Sequence, residues 1–373
     1  MKIFKIILAT FLVIILFFSL LELIATKFFP EYSQNQIYKP TKQNGDGSLY
    51  RVSRSKNQYF KKFKGLEIRS DMTENLNLIK EYNTMWFFGD SVTNGLGVRY
   101  TDTYYFNLKR LLANNNFFFN IFAAAEYNNN LSNTMNAVNG INEKNNFFNK
   151  GDYFIYQFNY NDILPKEFYT NKTNRKNSVK SKKSNFRSFI SFSDRFRFEY
   201  LHRLTFFRVL THYASIVSKK TLGSCRERDI DALGQYTYAY GAVNYSQESK
   251  DAWKYFENKF IELNEIAKKN DLKFIVLISP ISISFKSHDK LNLYNYDLKC
   301  STIDGRKEII SMLERNNISY SDPLPLFQEK IDIDLKEKNF DPLFFEYDTN
   351  HPNSKGHQLL ALSLFKTILD LKN

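Results

Sequence analysis

Three short stretches of this chain carry side chains suited to acyl transfer, and they are widely separated in sequence. The first is Phe87-Phe88-Gly89-Asp90-Ser91-Val92-Thr93-Asn94-Gly95. A serine in the turn between an apolar strand and a helix stands where a nucleophile is presented, and Gly89 permits a tight turn and close approach of a substrate. The same residues also suit a polar turn with a capping serine. The second stretch is Asp348-Thr349-Asn350-His351-Pro352. A carboxylate three residues from an imidazole can fix the ring's tautomer and leave its other nitrogen to accept a serine proton. A turn opening the last helix, with Pro352 at its entrance, uses the same residue types. The chain has five histidines, and His202, His212, His288 and His357 lack an equally placed aspartate. His357 is expected inside the last helix, filling surface. The third stretch is Asn159-Tyr160-Asn161-Asp162. A side-chain amide at the end of a strand can donate to an oxyanion, and a plain strand-to-loop turn is the alternative.

To bring these residues together, the chain needs a scaffold that ends several strands at one rim. Apolar runs predict strands at Met85–Phe88, Phe117–Phe122, Tyr153–Phe158, Phe274–Ile278 and Ile318–Tyr320. Helices are expected from Thr101 or Asp102 onward, at Leu131–Asn142, Gln247–Lys269, Gly305–Arg315 and Ser354–Leu371. The third of these places Trp253, Phe256, Phe260, Leu263 and Ala267 at helical spacing. Strands alternating with amphipathic helices predict an α/β fold of three layers, α/β/α, around a central parallel sheet. Ligands then bind beyond the carboxyl ends of the strands. Residues 164–246 interrupt the alternation as an insertion. Within it, Asn171 to Asn185 is rich in lysine, asparagine and serine, which disfavours a packed core. Phe186 to Val217 interleaves Arg187, Arg195, Arg197, Arg203 and Arg208 with phenylalanine and leucine. That pattern fits an ordinary packed helix, and also a lid or a helix lying on a membrane.

Composition bounds the function class. Of 373 residues, 43% are hydrophobic and 17% aromatic, enough to bury a real core. The net charge of +13 is spread along the chain, and no zinc-finger spacing or aromatic RNA-binding motif accompanies it, so a nucleic-acid partner is not expected. Cys225 and Cys300 lack the CxxC spacing of metal or redox sites. They are open to pairing or to remaining thiols. At the N-terminus, Lys2 and Lys5 precede an apolar run from Ile6 to Leu21, followed by Glu22 and Leu23 to Ala25. About 20 helical residues span a hydrocarbon core of ~30 Å. Residues 1–27 are therefore expected to form a transmembrane anchor. Leu23 spoils the small-residue pattern of a signal-cleavage site. The two lysines favour a cytoplasmic N-terminus, which places the globular part outside the cytoplasm. Residues 28–80, with Pro30, Pro40 and the Asn44-Gly45-Asp46-Gly47 cluster, read as a linker leading into a domain over 81–373.

Taken together and in this order, the three stretches resemble the blocks of the SGNH/GDSL hydrolase family, from about Asn83 to Leu371 without the insertion. Phe274 to Pro280 and the region of Asp322 resemble that family's late strands. The resemblance implies a flavodoxin-like sheet with Ser91 as nucleophile and Asp348 and His351 completing a triad. It also implies an oxyanion hole from the Ser91 N–H, the Asn161 amide and a backbone N–H at Ala125, with Ala124 and Glu126 as neighbouring candidates. Two positions depart from the pattern. The stretch Phe122-Ala123-Ala124-Ala125-Glu126-Tyr127 has no glycine where the second block carries one, and Asn159 replaces the glycine of the third. Asparagine tolerates unusual backbone angles better than most residues. The implied activity is a serine esterase or O-acyltransferase acting on acylated glycans or lipids of the cell envelope, without metal or cofactor. The altered blocks motivate the alternative of a silent, membrane-tethered binding or assembly protein. The arginine-rich segment motivates a third reading, a membrane-surface binder.

Overall fold

The computed structural model describes residues 2–28, 60–63, 66–69, 79, 81–95, 97–125, 131, 134–136, 138–139, 148–164, 237–240, 246–281, 303–337, 343–345 and 348–372. Residues 165–236 and 241–245 of the insertion, with Cys225, Cys300, Glu126 and His202, His212 and His288, lie outside these residues.

Seven strands form one sheet: β1 (Phe60–Phe63), β2 (Leu66–Arg69), β3 (Thr84–Gly89), β4 (Asn120–Ala125), β5 (Tyr153–Phe158), β6 (Lys273–Ile278) and β7 (Ser319–Ser321). Their spatial order is β1-β2-β4-β3-β5-β6-β7, and β4, β3, β5, β6 and β7 run parallel. The sequence order of these five is the flavodoxin-like 2-1-3-4-5, which reverses direction between β3 and β5 and opens a crevice at their carboxyl ends. The sheet is not wholly parallel, because β1 and β2 form an antiparallel hairpin that adds to β4 through Ile68 and Arg69. Residues 60–63 and 66–69 are thus part of the sheet. Their sequences, FKKF and LEIR, are short and half charged, as suits an edge, so they give no strand signal of their own.

The period-2 alternation of the strands divides the core into two. Met85 and Phe87 of β3 enter one cluster, and Trp86 and Phe88 enter the other. Trp86 and Phe88 meet α5 (Ser246–Lys269) and α6 (Gly305–Arg315), through Trp253, Phe256, Phe260, Ile309 and Met312. Met85 and Phe87 meet α3 (Tyr104–Ala113), α7 (Leu324–Glu337) and α8 (Ser354–Asp370). Further helices are α1 (Lys2–Phe28), α2 (Ser91–Asn94) and α4 (Thr237–Tyr240), and residues 131, 134–136 and 138–139 are also helical. The three layers are as the alternation of elements predicts.

Several boundaries shift. The strand expected over Phe117–Phe122 begins three residues later, at Asn120. The side chain of Asn120 explains this: its Nδ2 donates to the carbonyls of Ile79 and Tyr82, and its Oδ1 accepts from the Ile79 N–H, which pins that residue at the start of the strand. The rest of β4 is completed by alanines, whose small side chains give little pattern. Helix α7 carries Pro323 just before it and Pro325 in its first turn. Both read as breakers, yet proline is tolerated in a first helical turn. The hairpin β8 (Phe344–Phe345) and β9 (Asp348–Pro352) has no recognisable periodicity at all.

Helix α1 covers the expected anchor. Over the side chains that are described in it, which begin at Thr10, no helix is long and apolar enough to cross a membrane.

Phe260 is fully buried and packs on Tyr156, Phe256 and Phe274, tying α5 to β5 and β6. Phe260→Ala is expected to cost about 3–5 kcal/mol of stability through the cavity it leaves, read as a shift in the urea midpoint with an unchanged slope.

Candidate active site

Strand β3 ends at Gly89, Asp90 follows, and Ser91 opens the four-residue helix α2. The turn needs glycine at position 89. A Cβ there would lie 2.5 Å from Thr93 Oγ1 and 2.7 Å from Gln157 Oε1. Helix α2 closes on Gly95, whose φ of 67° is left-handed and suits a residue without a Cβ. Ser91 is thereby held at the carboxyl rim beside the crevice between β3 and β5.

His351 arrives on β9. Its Nε2 lies 2.6 Å from Ser91 Oγ, although the two residues are 260 positions apart. For Nε2 to accept the serine proton, the neutral ring carries its own proton on Nδ1. Asp348 lies on the same strand, and its side chain is outside the described residues.

A continuous set of contacts carries His351 to Ser91. The N–H of Asn353, which follows β9, donates to the Leu343 carbonyl. Asn353 also caps α8, its Oδ1 accepting from Lys355 N and Gly356 N. A Cβ on Gly356 would lie 2.4 Å from the Leu343 carbonyl, so glycine lets the hairpin settle on the helix. One residue on, the ring of His357 stacks on Tyr104 at 5.9 Å, and its Nδ1 accepts from the Tyr104 N–H at 3.1 Å. The Tyr104 hydroxyl meets Thr93 Oγ1 at 2.9 Å, and Thr93 donates to Gln157 Oε1. Gln157 also accepts from the Asp90 N–H. Burial pushes the Tyr104 hydroxyl far up, so it stays neutral. His357 is therefore not the surface residue expected from its helical position. It is buried and couples α8 to α3.

Behind Ser91 lies a second polar group. Asp90 is buried, and its Oδ1 accepts from Val92 N at 3.0 Å. Its Oδ2 accepts from Asn159 Nδ2 at 3.2 Å. Asp162 is also buried; its Oδ2 accepts from the Asn159 N–H and the Tyr156 hydroxyl. Burial raises both carboxyls above their ordinary range. At Asp90 the donors and the nearby His351 oppose the rise, and at Asp162 the charge of Asp90 adds to it.

The geometry brings Ser91, His351, Asn161 and the end of β4 to one rim. Ala125 lies in register with Gly89. Sequence reasoning assigned Asn159 only a backbone role, and none to Asp90, Thr93, Tyr104 and Gln157. One signal was available for the last: Gln157 is the lone amide in the otherwise aromatic and aliphatic strand Tyr153–Phe158.

No family model and no curated protein matches the chain. Among solved structures it aligns with a member of the lipolytic protein G-D-S-L family from Veillonella parvula, at 12% identity and TM-score 0.39, over 76% of this chain and 96% of that one. It aligns with a catalytic mutant of an acetylxylan esterase from Geobacillus stearothermophilus at 13% identity and TM-score 0.38, over 77% and 94%. It also aligns with the psychrotrophic esterase EstA from a Pseudoalteromonas species at 11% identity and TM-score 0.39, over 78% and 100%. In the order and placement of its three blocks, the chain is similar to the SGNH/GDSL hydrolases.

The raised Asp162 has a consequence for stability. In the unfolded chain its carboxyl titrates near the ordinary 3.8, whereas the folded state holds the proton to higher pH. Between those two points the folded state binds more protons, so its contribution is fully present at the acid end and is lost as pH rises through the folded value. Asp162→Asn removes that loss. Urea unfolding at a series of pH values is expected to show the variant gaining on the parent as the medium moves from acidic to neutral.

Proposed function

We propose that this chain is a divergent SGNH/GDSL-type serine esterase that works through an acyl-enzyme on Ser91. The observation that carries the proposal is the 2.6 Å approach of His351 Nε2 to Ser91 Oγ at the carboxyl rim. His351 takes the hydroxyl proton as Ser91 Oγ bonds to the carbonyl carbon of an ester, and the carbonyl electron pair moves to oxygen. The Ser91 N–H, the Asn161 amide and a backbone N–H near Ala125 stabilise that oxyanion. Collapse breaks the bond to the leaving alcohol, which receives the proton from His351. Asp348 holds the imidazolium from the Nδ1 side. Water, activated in the same way, releases the acid and restores Ser91. A sugar hydroxyl in place of water makes the same machinery an O-acyltransferase.

We extend the proposal to location and substrate. A helix from Lys2 to Phe28 with exposed Leu16, Phe17, Leu20, Leu23 and Ile24 suits a membrane tether, with the catalytic body outside the cytoplasm. A tethered enzyme there meets acylated glycans and lipids of the envelope. The preformed Ser91–His351 contact favours this reading over a silent binding protein, which has no need of it.

A fluorophosphonate probe tests the assignment. Wild type should label on a single serine, and Ser91→Ala should lose the label completely while keeping the same unfolding midpoint within ~0.5 kcal/mol. A folded wild-type protein that never labels contradicts the proposal.

A further inference from the structure

The ladder between β3 and β5 stops short of the site. Its backbone pairing runs from Met85 and Tyr153 to Phe88 and Tyr156, whereas β3 pairs with β4 as far as Gly89 and β5 pairs with β6 as far as Phe158. Beyond Phe88 and Tyr156, side chains take over from the ladder. Gln157 and Asn159 are two residues apart in extended backbone and so share a face. Gln157 Oε1 accepts from the Asp90 N–H at 3.4 Å, and Asn159 Nδ2 donates to Asp90 Oδ2 at 3.2 Å. The residue before the nucleophile is thus held both by its backbone and by its side chain.

Asn159 stands where the resembling third block carries glycine. Its backbone calls for neither residue: φ is −127° and ψ is 148°, extended angles that any residue adopts. What asparagine adds is a side-chain amide, at a buried position. That amide reaches a carboxylate whose other oxygen, Oδ1, accepts from the Val92 N–H at 3.0 Å in the first turn of α2. The contact therefore runs from the end of β5 through Asp90 to the helix that begins with Ser91.

The turn that follows is tied to Asn159 from within. The Asp162 N–H donates to the Asn159 carbonyl at 2.9 Å, and the Asn159 N–H donates to Asp162 Oδ2 at 3.0 Å. The Tyr156 hydroxyl donates to the same oxygen at 3.1 Å, which anchors the turn on β5. Tyr160 is buried, and its ring packs on Phe158 at 5.3 Å and on Tyr240 of α4 at 5.4 Å. Asn161, the candidate oxyanion donor, lies between two residues fixed in this way. The turn is thus one rigid piece, and Asn159 joins it to the piece that carries Ser91.

We propose that Asn159 is a positioning residue of the acyl-transfer site: its amide bridges to Asp90 across the crevice and sets the separation between Ser91 and Asn161. Separation matters because a displacement of about 1 Å at a reacting centre can cost ~10²-fold in rate. The inference rests on the esterase reading for its catalytic half. The bridge itself belongs to the resting protein and is measurable without turnover.

Two sets of measurements on the full chain test it. Urea unfolding of Asn159→Ala, Asp90→Ala and the double variant reads the bridge. The double variant is expected to lose less than the sum of the two single midpoint shifts, since either change alone removes the shared contact. Hydrolysis of para-nitrophenyl acetate, under conditions where every variant is folded, reads the positioning. Asn159→Ala should lower kcat by about tenfold with KM little changed, less than the ~10²–10³ of outright loss of an oxyanion donor. Added to Asn161→Ala, it should cost nothing more, because it acts through that residue. A residue of merely structural value would lower the urea midpoint and leave kcat alone, and that result overturns the inference. So do additive midpoint shifts, and so do kcat losses that multiply when Asn159→Ala and Asn161→Ala are combined. Asn159→Gly, which the extended backbone also accepts, keeps the test decisive if the alanine variant fails to fold. Failure of the esterase reading shows itself separately, as a wild-type protein whose Ser91 never reacts although the midpoints are coupled as described.

Discussion

The rim of this molecule depends on one short contact, between Ser91 Oγ at the end of β3 and His351 Nε2 on β9. By itself that contact cannot hold its partners together. Closing a chain loop of this length costs about 5 kcal/mol in entropy, against a net gain of roughly 1 kcal/mol for a typical hydrogen bond. The scaffold must therefore deliver both side chains already placed. It does so with apolar packing on the side of the sheet that faces α3, α7 and α8, where Phe87, Tyr104, Phe327, Phe344 and Leu360 share one cluster. The serine enters that cluster through Val92, and the histidine through Leu343 and Phe344 at the start of the strand that pairs with β9.

Packing alone leaves angles loose, and the polar contacts set them. From the hairpin, Leu343, Asn353, His357, Tyr104, Thr93 and Gln157 form a relay of hydrogen bonds that ends on the Asp90 N–H, next to the nucleophile. Inside a protein such bonds are worth more than in water, and breaking one leaves a buried polar atom unpaired at a cost of about 1–3 kcal/mol. Two glycines make the relay possible by keeping side-chain volume out of it. Gly89 leaves room for Thr93 and Gln157, and Gly356 leaves room for the Leu343 carbonyl.

Much of this arrangement is legible in the sequence, and what is not has physical causes. The buried strands β3, β5 and β6 are unbroken apolar runs and stand out at once, and α5 and α6 declare themselves by their periodicity. Ser91 and His351 could be singled out because each follows or precedes such an element at a position where chemistry is placed. The edge hairpin β1–β2 was hidden by its charges, the shift in β4 by a side-chain pin at Asn120 that no periodicity expresses, and α7 by its prolines. His357 looked like a helix-surface residue because its helical face can be judged only once α3 is known to pack there. Asp90 and Asp162 looked like ordinary turn formers. That they converge on Asn159 is a property of the crevice between β3 and β5, which exists only after the sheet has folded.

A hydroxyl and an imidazole that act as a unit should lose their effect together. The most direct test is a cycle on an activated acetyl ester: wild type, Ser91→Ala, His351→Ala and the double variant, each checked for folding. Coupled groups predict that either single change already removes nearly all the rate, and that the double variant is no slower than the worse single one. Two independent losses that multiply in the double variant, or a His351→Ala protein as fast as wild type, would contradict the account.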